Sequence, residues 1–214
     1  MLDSGALDFE GDFGVSSLIL VAGSTLVTTS SHAIGFLEFF PRINTTLMLL
    51  DNCVEGNSYA VYFSDAVVAD GGGIVVKGNT LSTIENNGVE SSVYAYAVDV
   101  RNGGYIDVEN NTMSAANGLY LNGDTTVISA GLLRVADCTF VGGTKNFESS
   151  LVYCDGFVTL QGGAQWRVED NNIRAASVLS MPNSLYEIQL SGSGTTVVVA
   201  RNLQVDSRTP FFNY

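Results

Sequence analysis

A small set of apolar positions returns along this chain about every thirty residues. One copy reads Gly72, Ile74, Val76, Asn79, Leu81: a glycine, apolar residues two, four and nine positions on, and asparagine between the last two. The next copies are Gly104, Ile106, Val108, Asn111, Met113, then Gly131, Leu133, Val135, Cys138, Phe140, then Ala164, Trp166, Val168, Asn171, Ile173. Weaker copies start at Ser17 (Ile19, Val21, Ser24, Leu26), at Thr45 (Leu47, Leu49, Asn52, Val54) and at Gly194 (Thr196, Val198, Arg201, Leu203). The closing positions 26, 54, 81, 113, 140, 173 and 203 are spaced by 28, 27, 32, 27, 33 and 30 residues. A period of this size is the mark of a solenoid, and the uneven spacing predicts constant strands joined by loops of variable length.

Each period holds three short apolar segments separated by turn residues. From Gly72 these are Ile74-Val75-Val76, Val93-Tyr94-Ala95-Tyr96-Ala97 and Val98-Asp99-Val100, with Gly78-Asn79-Thr80 and the polar Glu85-Asn86-Asn87-Gly88 between the first two. Later periods repeat the plan with Leu119-Tyr120-Leu121 and Val127-Ile128, and with Leu151-Val152-Tyr153 and Phe157-Val158-Thr159-Leu160. The last carries Ser177-Val178-Leu179 and Tyr186-Glu187-Ile188-Gln189-Leu190. No helical period competes. The pattern predicts an all-β, right-handed, single-stranded parallel β-helix of the pectate-lyase-like kind, with about seven coils and three strands per coil. At ~4.8 Å per coil it would form a rod roughly 30 Å long. A sandwich or jelly roll also uses short strands but predicts no thirty-residue register.

In this reading the apolar positions stack as a core ladder. Gly72, Gly104, Gly131 and Gly163 open coils where a Cβ would obstruct the turn. Asn52, Asn79, Asn111 and Asn171 form a turn column, since asparagine bonds nearby backbone and tolerates left-handed geometry. Stacked, their amides would make a ladder.

Composition narrows the picture. Many β-branched residues, 23 Gly and only 3 Pro suit strands and turns, and 14% charged residues do not suit disorder. A net charge of −13 argues against nucleic acid or an anionic membrane as partner. Three cysteines (Cys53, Cys138, Cys154) give an odd count without zinc spacing. Cys53 and Cys138 fall beside the asparagine column and read as small, buried turn or core residues. Residues 1–5 lack the features of a signal peptide, and no apolar run approaches the ~18 residues of a membrane span. No amphipathic helix caps the start, and the tail Thr209-Pro210-Phe211-Phe212-Asn213-Tyr214 stops where another strand would begin. The expectation is one β-helix domain over residues 1–214, a fragment of a longer array.

Candidate chemistry is sparse. Asp107, Glu109, Asp137, Glu169 and Asp170 occupy related registers and would line one face, as a glycoside hydrolase with paired carboxylates requires. The same residues read more simply as outward strand residues and turn formers. The clustered Asp pair, Gly-His-Gly and Arg-x-Lys of pectinase-like hydrolases are absent from the sequence. The single histidine, His32, reads as a surface or edge residue. Glu169-Asp170-Asn171-Asn172 is the densest oxygen cluster for a hard cation such as calcium, without a calcium-repeat motif. Tyr94, Tyr96, Tyr120 and Tyr153 fall in the second-segment column, as core or stacking residues or as an aromatic strip for a ligand. Trp166 reads as core. Asn44-Thr45-Thr46 and Asn110-Asn111-Thr112 are glycosylation sequons, with Asn44 and Asn110 as the acceptors. No catalytic residue, cofactor or metal is assigned.

The string Gly162-Gly163-Ala164-Gln165-Trp166-Arg167-Val168-Glu169-Asp170-Asn171-Asn172-Ile173-Arg174-Ala175-Ala176-Ser177-Val178 resembles a repeated motif of the dispersed gene family proteins of trypanosomes. Gly103-Gly104-Tyr105-Ile106-Asp107-Val108-Glu109-Asn110-Asn111 resembles the same repeat. The resemblance covers most of the chain in style and is specific over 162–178. It implies a piece of a very large cell-surface protein with a β-helical ectodomain, membrane spans outside this chain, and a role in adhesion or host interaction with no established catalytic activity. The partner so implied is a host-surface protein or glycan, and the location is the cell surface or the secreted space. The alternatives are a carbohydrate-active β-helix enzyme, a lyase or glycoside hydrolase, and a truncated, non-functional gene copy.

Overall fold

The structure, a computed structural model, describes residues 6–13, 16–41, 43–84, 90–142, 149–174, 176–181, 188–205 and 212–213. Residues 1–5, 85–88, 186–187, 209–211 and 214, read above as a chain start, a polar turn, part of a segment and a tail, lie outside the described residues.

Every regular element among the described residues is a strand, and every pairing between strands is parallel. The strands form four sheets. Sheet I carries the repeat register on seven strands: Leu18–Ala22, Thr46–Leu50, Gly73–Lys77, Tyr105–Glu109, Leu132–Ala136, Gln165–Glu169 and Thr196–Ala200. Sheet II follows each of them: Thr25–Val27, Cys53–Gly56, Thr80–Thr83, Thr112–Ala115, Thr139–Gly142, Asn172–Arg174 and Leu203–Gln204. Sheet III holds Leu7–Phe13, His32–Pro41, Tyr59–Ser64, Ser91–Tyr96, Asn117–Asn122, Ser150–Asp155, Ser177–Ser180 and Phe212–Asn213. Sheet IV holds Val67–Val68, Asp99–Val100, Thr125–Ile128, Val158–Gln161 and Ile188–Ser191. The chain is therefore a parallel β-helix, and six turns separate the seven strands of sheet I.

Each complete coil carries four strands where three were expected. The register copy is itself bent. Ile74 and Val76 lie on sheet I, while Leu81, which closes the copy, lies on sheet II. The bend is made by a left-handed residue just before the asparagine column: Asp51, Gly78, Asn110, Asp137, Asp170 and Arg201 have φ of 54°, 71°, 53°, 54°, 59° and 54°. The column asparagines themselves are not left-handed. They hold the corner by hydrogen bonding, and the residue before each makes the turn.

Inward residues stack in register. Leu47, Ile74, Ile106, Leu133 and Trp166 pair along sheet I, and Leu49, Val76, Val108, Val135 and Val168 run beside them. Val54, Leu81, Met113, Phe140 and Ile173 do the same on sheet II. All belong to one apolar core. Trp166 is fully buried there, as the sequence predicts. Each such side chain contributes about 1.5–3 kcal/mol by leaving water.

The last copy is shifted by one residue. Trp166 pairs with Val197 and Val168 with Val199, so the inward pair is Val197 and Val199, not Thr196 and Val198. Asn202, not Arg201, enters the asparagine column, and Gln204 stacks on Ile173 in place of Leu203. Leu203 is exposed instead.

The coil-opening glycines divide into two kinds. A Cβ on Gly72 or Gly104 would collide with the carbonyl oxygen of Pro41 or Val68, and on Gly131 it would lie 2.6 Å from that of Val100. Gly163 instead has φ of 80°, and Ala164 takes the place that Gly131 holds in the coil before.

Candidate functional site

The corner between sheets I and II contains a ladder of amides that is interrupted once, at Cys138. Asn52 Nδ2 donates to Asn79 Oδ1 at 2.9 Å, Asn79 Nδ2 to Asn111 Oδ1 at 3.0 Å, and Asn171 Nδ2 to Asn202 Oδ1 at 2.8 Å. Each oxygen also accepts a backbone N–H from the preceding coil: Ser24 and Asn52 at 3.0 and 2.9 Å, Asn79 at 2.9 Å, Cys138 at 2.9 Å and Asn171 at 3.1 Å. The spare amide protons reach carbonyls, such as Asn79 Nδ2 to Leu49 O at 2.9 Å and Asn111 Nδ2 to Val76 O at 2.7 Å. This column is structural.

Cys138 stands inside the column. Its thiol donates to Ala136 O at 3.2 Å, and burial pushes its pKa up to about 12. Cys154 is buried in the core, and burial also raises its pKa. Cys53 corrects the reading of a buried residue. It lies one place past Asn52, on the outer side of sheet II, and is exposed. All three thiols are free.

The candidate carboxylates do meet on one face, the outer side of sheet I and its corner. They meet there with cations that the sequence reading did not weigh. Arg134 pairs directly with Asp107 across neighbouring strands, its Nη1 donating to both carboxylate oxygens at 3.1 and 3.2 Å. The same guanidinium lies 3.5 Å from Glu109, 3.7 Å from Asp137 and 3.6 Å from Glu169. Lys77 pairs with Glu109 at 3.3 Å. Glu169 is buried and also meets Arg167 and Arg201, each at 3.0 Å. Arg201 grips Asp170 through Nε and Nη2, both at 2.7 Å. The result is a staggered chain of opposite charges running along the rod axis.

The titration shifts follow. Burial pushes the Asp107 carboxyl above its ordinary range, and Arg134 draws it part of the way back. Hydrogen bonds from Arg201 hold Asp170 below its ordinary range. Burial works against the charge on Arg134, but Asp107 and Glu109 outweigh it and raise its pKa. The cluster Glu169-Asp170-Asn171-Asn172 does not converge on one point. Glu169 and Asp170 face arginines, Asn171 is in the amide column, and Asn172 is exposed on a sheet II strand.

Tyrosines form a second outer column, on sheet III. Tyr62, Tyr94, Tyr120 and Tyr153 pair in register, opposite in direction to the inward Val93 and Ala95. Tyr62 and Tyr94 stack with ring centroids 5.3 Å apart, and Tyr94–Tyr120 and Tyr120–Tyr153 meet edge to face at 5.1 and 4.8 Å. Stacking leaves Tyr94 and Tyr120 only 8% and 7% exposed. Asn122 donates to Tyr94 Oη at 2.6 Å, and Tyr120 Oη donates to Asp155 at 3.2 Å. Tyr62 was missed, although its place in the period matches Tyr94. Tyr96 belongs to the next outward column, with Ser64 and Asn122, and is exposed.

His32 also departs from expectation. It is 1% exposed, stacks on Tyr62 at 5.1 Å and shares a 2.7 Å hydrogen bond with Asp8. A side chain at Gly35 would collide with both partners, so that glycine makes room for the pair. The pair ties the first strand of sheet III to the second.

Asn44 and Asn110 are both exposed at corners, with φ of 60° and 53°. The interior void between Phe63, Val93, Ile106, Leu119 and Leu133 is lined by carbon alone. Among the described residues, no helix is long and apolar enough to cross a membrane. Comparison with protein-family models, curated proteins and solved structures finds no match to this chain.

Proposed function

We propose that this chain is a non-catalytic β-helix module of a cell-surface protein, which presents its long outer faces to a host protein or glycan in adhesion. The observation that carries the proposal is the pairing of the candidate acids. Asp107, Glu109, Asp137, Glu169 and Asp170 each lie within 3.7 Å of an arginine or lysine nitrogen. A glycosidase needs one carboxyl free to give a proton and another free to attack or to activate water. Carboxylates tied to guanidinium are poor at both. The resemblance over 162–178 is consistent with this reading, because its residues build a coil: Trp166 and Val168 are core, Asn171 is the corner amide, and Glu169 is ion-paired. In an extracellular setting Asn44 and Asn110 are available acceptors for glycan. A glycan array and a cell-binding screen with the purified chain test the proposal. Saturable binding without turnover supports it, and silence in both favours the non-functional gene copy.

One observation favours the enzyme. Asp107 is raised by burial, as a general acid would be. Release of reducing ends from a polysaccharide panel, abolished by Asp107→Asn, would establish that reading in place of the first.

A further inference from the structure

The core stacking breaks in the middle of the rod. On the inward side of sheet III, Phe9, Phe36 and Phe63 follow one another in register. Their rings stack, with centroids 5.1 Å apart at each step. The next two places in that column hold Ala95 and Leu121. Ring stacking therefore stops at Phe63, and a methyl group stands where a fourth ring would continue it.

The surroundings do not make up the difference. Ala66 and Val98, on the same void, are also small. Ile106 and Leu133 of sheet I line it too, yet room for about one water-sized sphere remains. A packed core collapses only partly around a missing group. Here Phe63, Ala95 and Leu121 sit on hydrogen-bonded strands held ~4.8 Å apart, so neither neighbour can slide along the axis to close the gap.

The chemistry of the void is uniform. Its lining presents carbon alone, and each lining residue is at most 7% exposed. A water there would need two to four polar partners and has none, so the void stays dry. The lining also lacks dispersion contacts that a filling atom would restore, and Phe63 contributes a polarisable ring. Benzene needs a cavity of about 150 Å³, far more than one water-sized sphere.

We infer that the void beside Ala95 is a binding site for one small apolar molecule of xenon or methane size. The site does not depend on the adhesion reading, since its lining belongs to the core and not to the outer faces.

Xenon is the probe. Methyl-resolved NMR of the 214-residue chain under rising xenon pressure should show saturable shifts concentrated on Val93, Leu119, Leu121 and Leu133. Ala95→Val fills the void from sheet III and should cut those shifts several-fold. Circular dichroism checks its fold. If it unfolds, Val98→Ile, which adds a single methyl from another side, replaces it and should weaken the response in the same direction. Benzene should leave the four residues unmoved. Absent shifts, shifts scattered over surface methyls, a response that survives the filling substitution, benzene binding, or cross-relaxation from these methyls to a water in the void overturns the inference.

Discussion

Two polar ladders run along this molecule, and they follow opposite rules. The asparagine column is buried and neutral, and it is bonded into the backbone of neighbouring coils. The ion-pair ladder on the outer side of sheet I is charged, partly exposed and joined only through side chains. Losing a rung of the first strands backbone donors away from water, where each costs about 1–3 kcal/mol. Losing a rung of the second mostly returns charges to solvent, where pairs are worth about 0–1 kcal/mol. The first ladder therefore holds the coils in register. The second fixes which charges the surface shows.

The difference can be broken by substitution. The largest effect is expected for Asn79→Ala. It removes the acceptor for Asn52 N–H and Nδ2 and the donor for Leu49 O, Lys77 O and Asn111 Oδ1. Urea unfolding should show a loss of about 3 kcal/mol. Glu169→Ala comes next. It is the one buried rung of the charged ladder, but Arg134, Arg167 and Arg201 are each more exposed than it and can rehydrate. A loss of about 1–2 kcal/mol is expected in the same experiment.

Cys138→Asn should work the other way. Asn111 Nδ2 now has only the Cys138 sulfur at 4.0 Å along the column, and an amide oxygen would restore the rung. A gain of about 1 kcal/mol is expected, read as a higher urea midpoint. Wild-type thiols sharpen the same contrast between buried column and surface. At pH 8 the exposed Cys53 should react with a disulfide reagent at once, while Cys138 and Cys154, raised by burial, should react only on unfolding.

The smallest effect is a pH dependence. Asp170 is held below its ordinary pKa by Arg201, so its contribution to stability is present above the ordinary value of about 4 and is lost as pH falls through the depressed one. Thermal melts of Asp170→Asn should fall less steeply between neutral and strongly acid pH than those of the wild type.

Much of the fold is legible in the sequence because the period forces it. Ile74, Ile106 and Leu133 repeat at matching places, and stacking them is the way to bury them together. The four-strand coil was less visible. The bend falls inside the register copy, and its left-handed position is filled variously by Asp, Gly, Asn and Arg. The shift at the last copy was hidden because Val197, Val198 and Val199 offer two apolar alternations, and only the match of Asn202 to Asn171 decides between them. On the outer face the acids were legible as a group, but their partners were not. Arg134 lies 27 residues from Asp107, and its role emerges only when the period is used to pair outward as well as inward positions. His32 carried no periodic signal, since its partner Asp8 lies on the preceding strand of sheet III.

The account's central claim is that buried, uncharged contacts hold the coils together while the charged outer face is dispensable for the fold. Urea unfolding of the wild type at low and at high sodium chloride tests it most directly, because salt screens the ion-pair ladder and leaves the amide column untouched. The midpoint should move by no more than about 0.5 kcal/mol equivalent across that range. A loss of several kcal/mol at high salt would mean that the charges, and not the amides and the core, hold the coils in place.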